Sequence, residues 1–298
     1  MQEKIVVFGG SGFLGSHIAD QLSDRGYKVI IFANLNSAYL RADQEMVIGD
    51  ISDQELIRET IKGSTYVYHL AAIADIKEAA EDPVLTVKVN VLSTIYILDA
   101  CKEHNVKRFI YGSTIYVYSQ HGSFYRSSKQ ASELFIENYQ KVYGLNYTIL
   151  RYGSLYGPRA NHFNYINNII NQAIVEKVIK RKGDGNELRE YIHVEDAAEA
   201  SVNILDENFA NSNIMITGHS SLRVRDLLNM VKEMFNNKIE IMYEDEVMEG
   251  HYEITPYSFK PTIAKKYILN HYHDLGQGIL DMIYKNYEDL AKDGKISN

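Results

Sequence analysis

The run Lys4-Ile5-Val6-Val7-Phe8-Gly9-Gly10-Ser11-Gly12-Phe13-Leu14-Gly15 decides how the rest of this 298-residue chain is read. Its first five residues are short, apolar and β-rich, and a glycine turn follows them. Leu14, Ile18 and Leu22 then fall at helical spacing, and the helix closes at Gly26. A second apolar strand, Lys28-Val29-Ile30-Ile31-Phe32, comes next. Strand, glycine turn, helix and strand within about thirty residues is the opening of a dinucleotide-binding α/β unit. Glycines permit the tight turn and a close backbone approach, while free N–H groups at the helix start favour a pyrophosphate.

The alternation of strands and helices continues along the chain. Met46-Val47-Ile48, Val67-Tyr68-His69, Arg108-Phe109-Ile110-Tyr111, Tyr147-Thr148-Ile149-Leu150-Arg151 and Asn213-Ile214-Met215-Ile216 read as further strands of one sheet. Ser52-x-x-Glu55 reads as a capping box for the second helix. Asp82-Pro83 opens a long helix running to Lys102, with Asp as cap and Pro at the first position. Further on, apolar Ile166, Ile169, Ile170, Ala173 and Ile174 mark a helix over Asn164 to Lys177. Val224 to Phe235 and Asp274 to Tyr287 read as two more, with a strand over Lys238 to Tyr243.

Bulk numbers bound the function. At 45% hydrophobic and 23% charged residues the chain is ordinarily globular, and a net charge of −8 without a basic run argues against a nucleic-acid partner. A single cysteine, Cys101, rules out an intrachain disulfide and fits a reducing compartment. The N-terminus enters a strand without a signal-peptide pattern, and no apolar run approaches membrane-spanning length, so a soluble cytoplasmic protein is expected, without membrane or metal.

A second stretch carries chemistry. In Tyr125-Arg126-Ser127-Ser128-Lys129 a helix starting near Ser127 and ending at Gly144 places Tyr125 and Lys129 on one face of its entrance. The apolar stripe of that helix is Ala131, Leu134, Phe135, Val142 and Tyr143. A phenol is a poor base at neutral pH, and a cation a few ångströms away favours the phenolate by roughly 1–3 units. Taken in isolation the same pattern is a surface helix on which Lys129 pairs with Glu133. The glycine turn upstream gives it its meaning.

Gly9, Gly12 and Gly15 in the spacing G-x-x-G-x-x-G, with Tyr125 and Lys129, resemble the extended branch of the short-chain dehydrogenase/reductase superfamily, the NAD-dependent epimerases and dehydratases of nucleotide sugars. The resemblance spans nearly the whole chain. It implies an α/β fold, a Rossmann-type doubly wound parallel sheet with a smaller interleaved α/β domain. Residues 1–158 and 190–217 would form the NAD(P)-binding domain and 159–189 with 218–298 the nucleotide-sugar domain. It implies cofactor contacts at Gly9, Gly12, Phe13, Leu14, Gly15, Asn34, Asp50, Ile51, Leu70, Ala71, Ala72, Lys129 and Tyr152. Substrate contacts are implied at Ser113, Thr114, Tyr125, Ser154, Arg159 and Arg189, with Arg189, in a run similar to R-D-F-I-H-V-D-D, facing the diphosphate. Tyr125, Lys129 and Thr114 are the implied catalytic set, Ser113 being the alternative hydroxyl, and Asn90 the asparagine that supports them. The partner implied is a nucleotide-diphosphate sugar, and the long helices Pro83 to Lys102 and Ser127 to Tyr143 are those that build a homodimer in relatives.

Three departures shape the expectation. The acid that binds the adenosine ribose is replaced by Ala33, which leaves Asn34 for that contact and Arg41 near enough in sequence to keep NADP beside NAD. Only ten residues separate Thr114 from Tyr125, so a short loop and an open pocket are expected. No arginine in Gly250 to Tyr257 matches the second phosphate clamp, for which His251 and Lys260 are the candidates. Where dehydratases carry acids after the threonine, and decarboxylases a glutamate, stand Ile115 and Tyr116. With no extra acid or base, 4-epimerisation through a transient 4-keto sugar is the expected outcome. A 4-dehydrogenase or 4-keto reductase is the alternative, and a non-catalytic NAD(P)-binding regulator a third reading.

Overall fold

The computed structural model describes residues 2–244, 265–267, 269 and 271–294. Strands β1 (Lys4–Phe8), β2 (Lys28–Ala33), β3 (Gln44–Ile48), β4 (Tyr66–His69), β5 (Arg108–Thr114) and β6 (Tyr147–Tyr152) join Ser212–Ile216 and Lys265–Lys266 in one eight-stranded sheet. Every pairing in it is parallel. Its order is Lys265–Lys266, Ser212–Ile216, β6, β5, β4, β1, β2, β3. Val6 stands opposite Ile30 on one side and Val67 on the other, so the chain winds away from β1 in both directions. The crevice at the carboxyl ends of β1 and β4 is therefore the switch point of a doubly wound sheet, as the glycine turn implied. The strands read as continuous apolar runs because both faces are covered. Ile5, Val6, Val7, Phe8, Val67, Phe109 and Ile149 are fully buried.

Helix starts follow local chemistry, with corrections. The helix after β3 is Gln54–Ile61, capped by Asp53, whose carboxylate accepts from Leu56 N–H at 3.0 Å. The expected Ser52–Glu55 capping box does not form, because Ser52 is bonded to Asp50 and Glu55 pairs with Arg58. Asp82 caps the Pro83–Glu103 helix as expected, but Val87–Leu92 within it is a π turn. By length and mean composition that helix would suffice to span a membrane, although Lys88, Asn90 and Asp99 interrupt its apolar run. Ile97, Leu98, Ala100 and Cys101 nevertheless lie fully buried in the same core cluster as the sheet, which is where a core helix puts its apolar face.

Contact clustering divides the chain into two compact units whose segments alternate along the sequence. One holds Met1–Tyr152, Ala197–Ile216 and the strand at 265–267. The other holds Gly153–Asp196 with 217–244 and 269–294. In the second unit, Ser154–Tyr156 pairs in parallel with Tyr191–His193, and Val178–Lys182 with Glu240–Glu244, while Leu188–Arg189 and Leu222–Arg223 are antiparallel. Its core draws on the helices Tyr165–Val175, Val224–Met234 and Leu275–Lys292, and the five predicted apolar positions of the first are all buried there. The last helix runs five residues past its expected end at Tyr287.

Candidate active site

The glycine turn is as tight as its spacing demanded. Gly9 has φ +81°, and a Cβ there would lie 2.6 Å from the backbone nitrogen of Ala71. A Cβ on Gly15 would lie 2.2 Å from the Gly9 carbonyl oxygen, and one on Gly12 at 3.2 Å. The helix Phe13–Asp24 starts directly from this turn, and Gly12 at its cap brings no side chain to its first N–H groups. Bare backbone donors at the end of a helix dipole, beneath which no side chain fits, are the environment a pyrophosphate requires. Leu70 and Ala71 complete the floor, both donating to the Phe8 carbonyl. The glycine turn thus fits a dinucleotide.

Asn34 is exposed just past the end of β2, next to Ala33. Asp50 accepts from Ser52 N–H at 2.7 Å and from its hydroxyl at 2.6 Å, and these bonds hold its carboxyl below the usual range. Arg41 is occupied. Its guanidinium pairs with Asp24 at 2.6 Å and Asp43 at 2.9 Å. A ribose 2′-phosphate would have to displace two carboxylates, so the observed pairing favours the unphosphorylated ribose.

The reactive pair sits on a helix that starts at Ser123, not Ser127, so Tyr125 lies inside its first turn. Gly122 in left-handed geometry (φ 97°) and Ser123 (φ 47°) turn the chain into it, and the intervening segment folds as a 3-10 turn over Ile115–Tyr118. Two helix side chains hold that turn: Arg126 donates to Ser119 O at 2.9 Å and Gln130 to Val117 O at 2.7 Å. Thr114 lies near enough to Tyr125 to favour its phenolate, and the Thr114 hydroxyl oxygen accepts from Tyr116 N–H at 3.2 Å. Lys129, 3% exposed, donates to Gly112 O at 2.7 Å, with its ammonium 4.7 Å from the Tyr111 ring centre and 6.0 Å from that of Tyr125. Burial dominates both groups as they stand. It pushes the Tyr125 phenol up to about 12, against the Thr114 bond, and pulls Lys129 down to about 7, against the charge of Glu133. The expected lowering of the phenol by its lysine is not found in the free protein, where desolvation prevails. Ser113 and Thr114 lie on opposite faces of β5, and Ser113 donates to Glu133. Thr114 is the hydroxyl that meets Tyr125.

Residues 5–217 match the model of the NAD dependent epimerase/dehydratase family. This chain belongs to that family. A Methanocaldococcus jannaschii protein provisionally named a UDP-glucose 4-epimerase is 32% identical over 269 residues, covering 83% of this chain and 87% of its own. The UDP-glucose 4-epimerase of Thermotoga maritima, solved with UDP-glucose, superposes with a TM-score of 0.82 at 25% identity, over 96% of this chain and 99% of that one. The Thermus thermophilus UDP-glucose 4-epimerase, solved with NAD, gives 0.80 at 25% identity, over 94% and 98%.

Other expected site residues of this epimerase/dehydratase fall less uniformly. Tyr152 is buried and its hydroxyl meets Ser201 Oγ at 2.6 Å, so its side chain is committed to packing behind the sheet. Ser154 is half-buried in the second unit, its N–H donating to Glu190 O at 3.1 Å. Arg159 has positive φ, 65°, at the turn after Gly157. Arg189 is buried and donates to Leu188 O at 2.9 Å. Of its sequence neighbours, Glu187 pairs with Arg181 and Glu190 accepts from Ser221 at 3.3 Å. His251 and Lys260 lie outside the described residues.

Asn90, the supporting asparagine implied by the resemblance, lies on the π turn, accepts from Ile73 N–H at 2.8 Å, donates to Ile73 O at 3.0 Å and donates to Ser128 at 2.9 Å. The π turn thus fixes the helix between Tyr125 and Lys129. What sequence reasoning missed is the charged pair below it. Glu133 is buried and salt-bridged to Arg151, not paired with Lys129 on a wet face. A signal existed. Tyr125, Ser128, Lys129, Ser132, Glu133 and Ile136 share one helical stripe, and this polar stripe is the buried one, while Leu134 and Val142 of the apolar stripe are 62% and 68% exposed.

Proposed function

We propose that this protein is a nucleotide-sugar 4-epimerase that holds NAD and acts through a transient 4-keto sugar. The observation that carries it is the buried Lys129 ammonium, 6.0 Å from the Tyr125 ring centre with Thr114 beside the phenol, on the unit whose glycine turn fits a dinucleotide. NAD, when bound on the glycine turn, would supply a reversible hydride acceptor for sugar C4. The chain's own residues handle the proton. Tyr125, as phenolate, takes it from the C4 hydroxyl and returns it with the hydride, Thr114 aligns the reacting oxygen, and the Lys129 ammonium stabilises the phenolate on which the cycle begins and ends. Arg189 is the group for the substrate diphosphate, by its planar fork. Ile115 is buried and Tyr116 packs edge-on to Tyr125, with ring centres 6.5 Å apart, so no carboxylate at either position serves elimination or decarboxylation. The relatives named above support the sugar and cofactor classes. Purified protein given UDP-glucose or UDP-N-acetylglucosamine should yield the C4 epimer, read by NMR, with no net NADH. Steady NADH formation with a 4-keto product would instead establish the dehydrogenase.

A homodimer belongs to the same proposal. Leu134, Phe135, Val142 and Tyr143 on one helix and Val84, Leu85, Val87 and Leu92 on the other are exposed apolar residues on the two helices expected to meet a second copy. Sedimentation should show a dimer that Leu134→Asp dissociates; a monomeric wild-type chain at micromolar concentration would remove this part.

A further inference from the structure

Beneath the reactive pair lies a charged network that proton transfer does not itself use. Arg151, at the end of β6, donates to Glu133 from Nε at 3.0 Å and from Nη2 at 2.6 Å. Ser113 donates to the same carboxylate at 2.5 Å, and Tyr118 closes the far side by a hydrogen bond with Arg151. All four residues are buried. An ion pair in such a place adds little stability over a well-packed apolar pair, so the charge invites a functional explanation.

Its position supplies one. Glu133 is one helical turn beyond Lys129 on the same stripe. Ser113, which holds the carboxylate, is next in β5 to Gly112, which holds the lysine ammonium, and to Thr114, which meets Tyr125. Around Lys129 stand Tyr125 and Glu133 on its own helix, Tyr111 and the Gly112 carbonyl on β5 and His69 on β4, and Arg151 of β6 holds Glu133. Burial keeps His69 uncharged, its pKa pulled down to about 3. Among the described residues no carboxylate forms an ion pair with Lys129 directly. We propose that Glu133 is a positioning residue that keeps the Lys129 side chain an ammonium, its carboxylate being fixed for that role by Arg151 and Ser113.

This rests on reading Tyr125 and Lys129 as the proton-transfer pair. Removing the anion leaves the buried lysine without the negative charge that favours its protonation, so the ammonium is disfavoured and its midpoint falls. The test is NMR titration of the full chain carrying ¹³C-labelled lysine, with the Lys129 signal identified by its loss in Lys129→Arg. In Glu133→Gln the midpoint should drop by about one unit or more, a loss of roughly tenfold in charged lysine above it. The alkaline limb of kcat should move down with it, and Glu133→Asp should restore both. Should Glu133→Gln fail to fold, Glu133→Gln/Arg151→Met, which removes both charges at similar volume, decides the matter: a midpoint between those of wild type and an unpaired buried lysine supports the role. A wild-type midpoint in either variant overturns it, leaving a purely structural pair. The titration needs no turnover. Moved midpoints in a chain that epimerises no nucleotide sugar would uphold the role of Glu133 and sink the epimerase, and unmoved midpoints in an active enzyme would do the reverse.

Discussion

Gly9 and Gly26 have the same backbone, φ +81° and +82°, and opposite surroundings. Replacing each by alanine separates the two reasons for glycine. At Gly26 a Cβ meets nothing within 4 Å, so Gly26→Ala carries only the left-handed penalty, about 1–2 kcal/mol. At Gly9 the Cβ would lie 2.6 Å from Ala71 N and 2.9 Å from its Cα, both backbone atoms at the end of β4. Neither can swing aside as a side chain would. Overpacking of this kind adds about 1–3 kcal/mol, so Gly9→Ala should cost about 2–5 kcal/mol in total. At about 2–4 °C per kcal/mol for a domain of this size, its melting point should fall well below that of Gly26→Ala. The functional contrast is sharper. If β4 yields, the floor under the pyrophosphate moves, and NAD affinity measured by calorimetry should fall at least tenfold in Gly9→Ala while Gly26→Ala binds as wild type. Equal melting points, or undiminished NAD binding by folded Gly9→Ala, would refute the reasoning that places the cofactor on this turn.

Other expectations follow from the same geometry. Tyr125→Phe should lose about 10²–10⁴-fold in turnover while still binding NAD, since only the proton carrier is removed; a residual rate near wild type would show that another group carries the proton. Because Arg41 is held by Asp24 and Asp43, NAD should bind more tightly than NADP, and Arg41→Ala should leave the preference unchanged; a selective loss of NADP binding in that variant would mean the arginine does reach a phosphate. His273 fastens the start of the last helix, its backbone N–H and ring both meeting Asp196 at 2.8 and 2.5 Å. Burial opposes its protonation, but the Asp196 bond and the charges of Asp196 and Glu195 outweigh it and raise the pKa above 6.5. A raised folded pKa gives stability that is complete below the unfolded value and is lost as pH rises through the folded one. Hydrogen exchange of the Leu275–Lys292 helix should therefore quicken as pH climbs above 6.5, beyond the intrinsic rate, and His273→Asn should abolish that dependence; matching profiles in the two proteins would count against the clamp.

The fold was legible in the chain because its signals are local. The Gly9–Gly12–Gly15 turn, the apolar runs of β1 to β6 and the Asp82 cap each act within a few residues, and parallel strands covered on both faces announce themselves by composition. So did Tyr125 and Lys129, one turn apart on one helix. What local signals could not decide was which face of that helix is inside. Its apolar stripe pointed to Leu134 and Val142 as core, yet the sheet takes Lys129, Ser132 and Glu133 instead, because Gly112 O receives the lysine, Asn90 O the serine hydroxyl, and Ser113 and Arg151 hold the carboxylate. The choice between Ser113 and Thr114, the occupation of Arg41 and the support of Asn90 for Ser128 likewise depend on partners 17 to 38 residues away in sequence. Periodicity reports how apolar a face is, whereas burial of a charge is decided by whether distant donors converge on it, and only the folded chain brings them together.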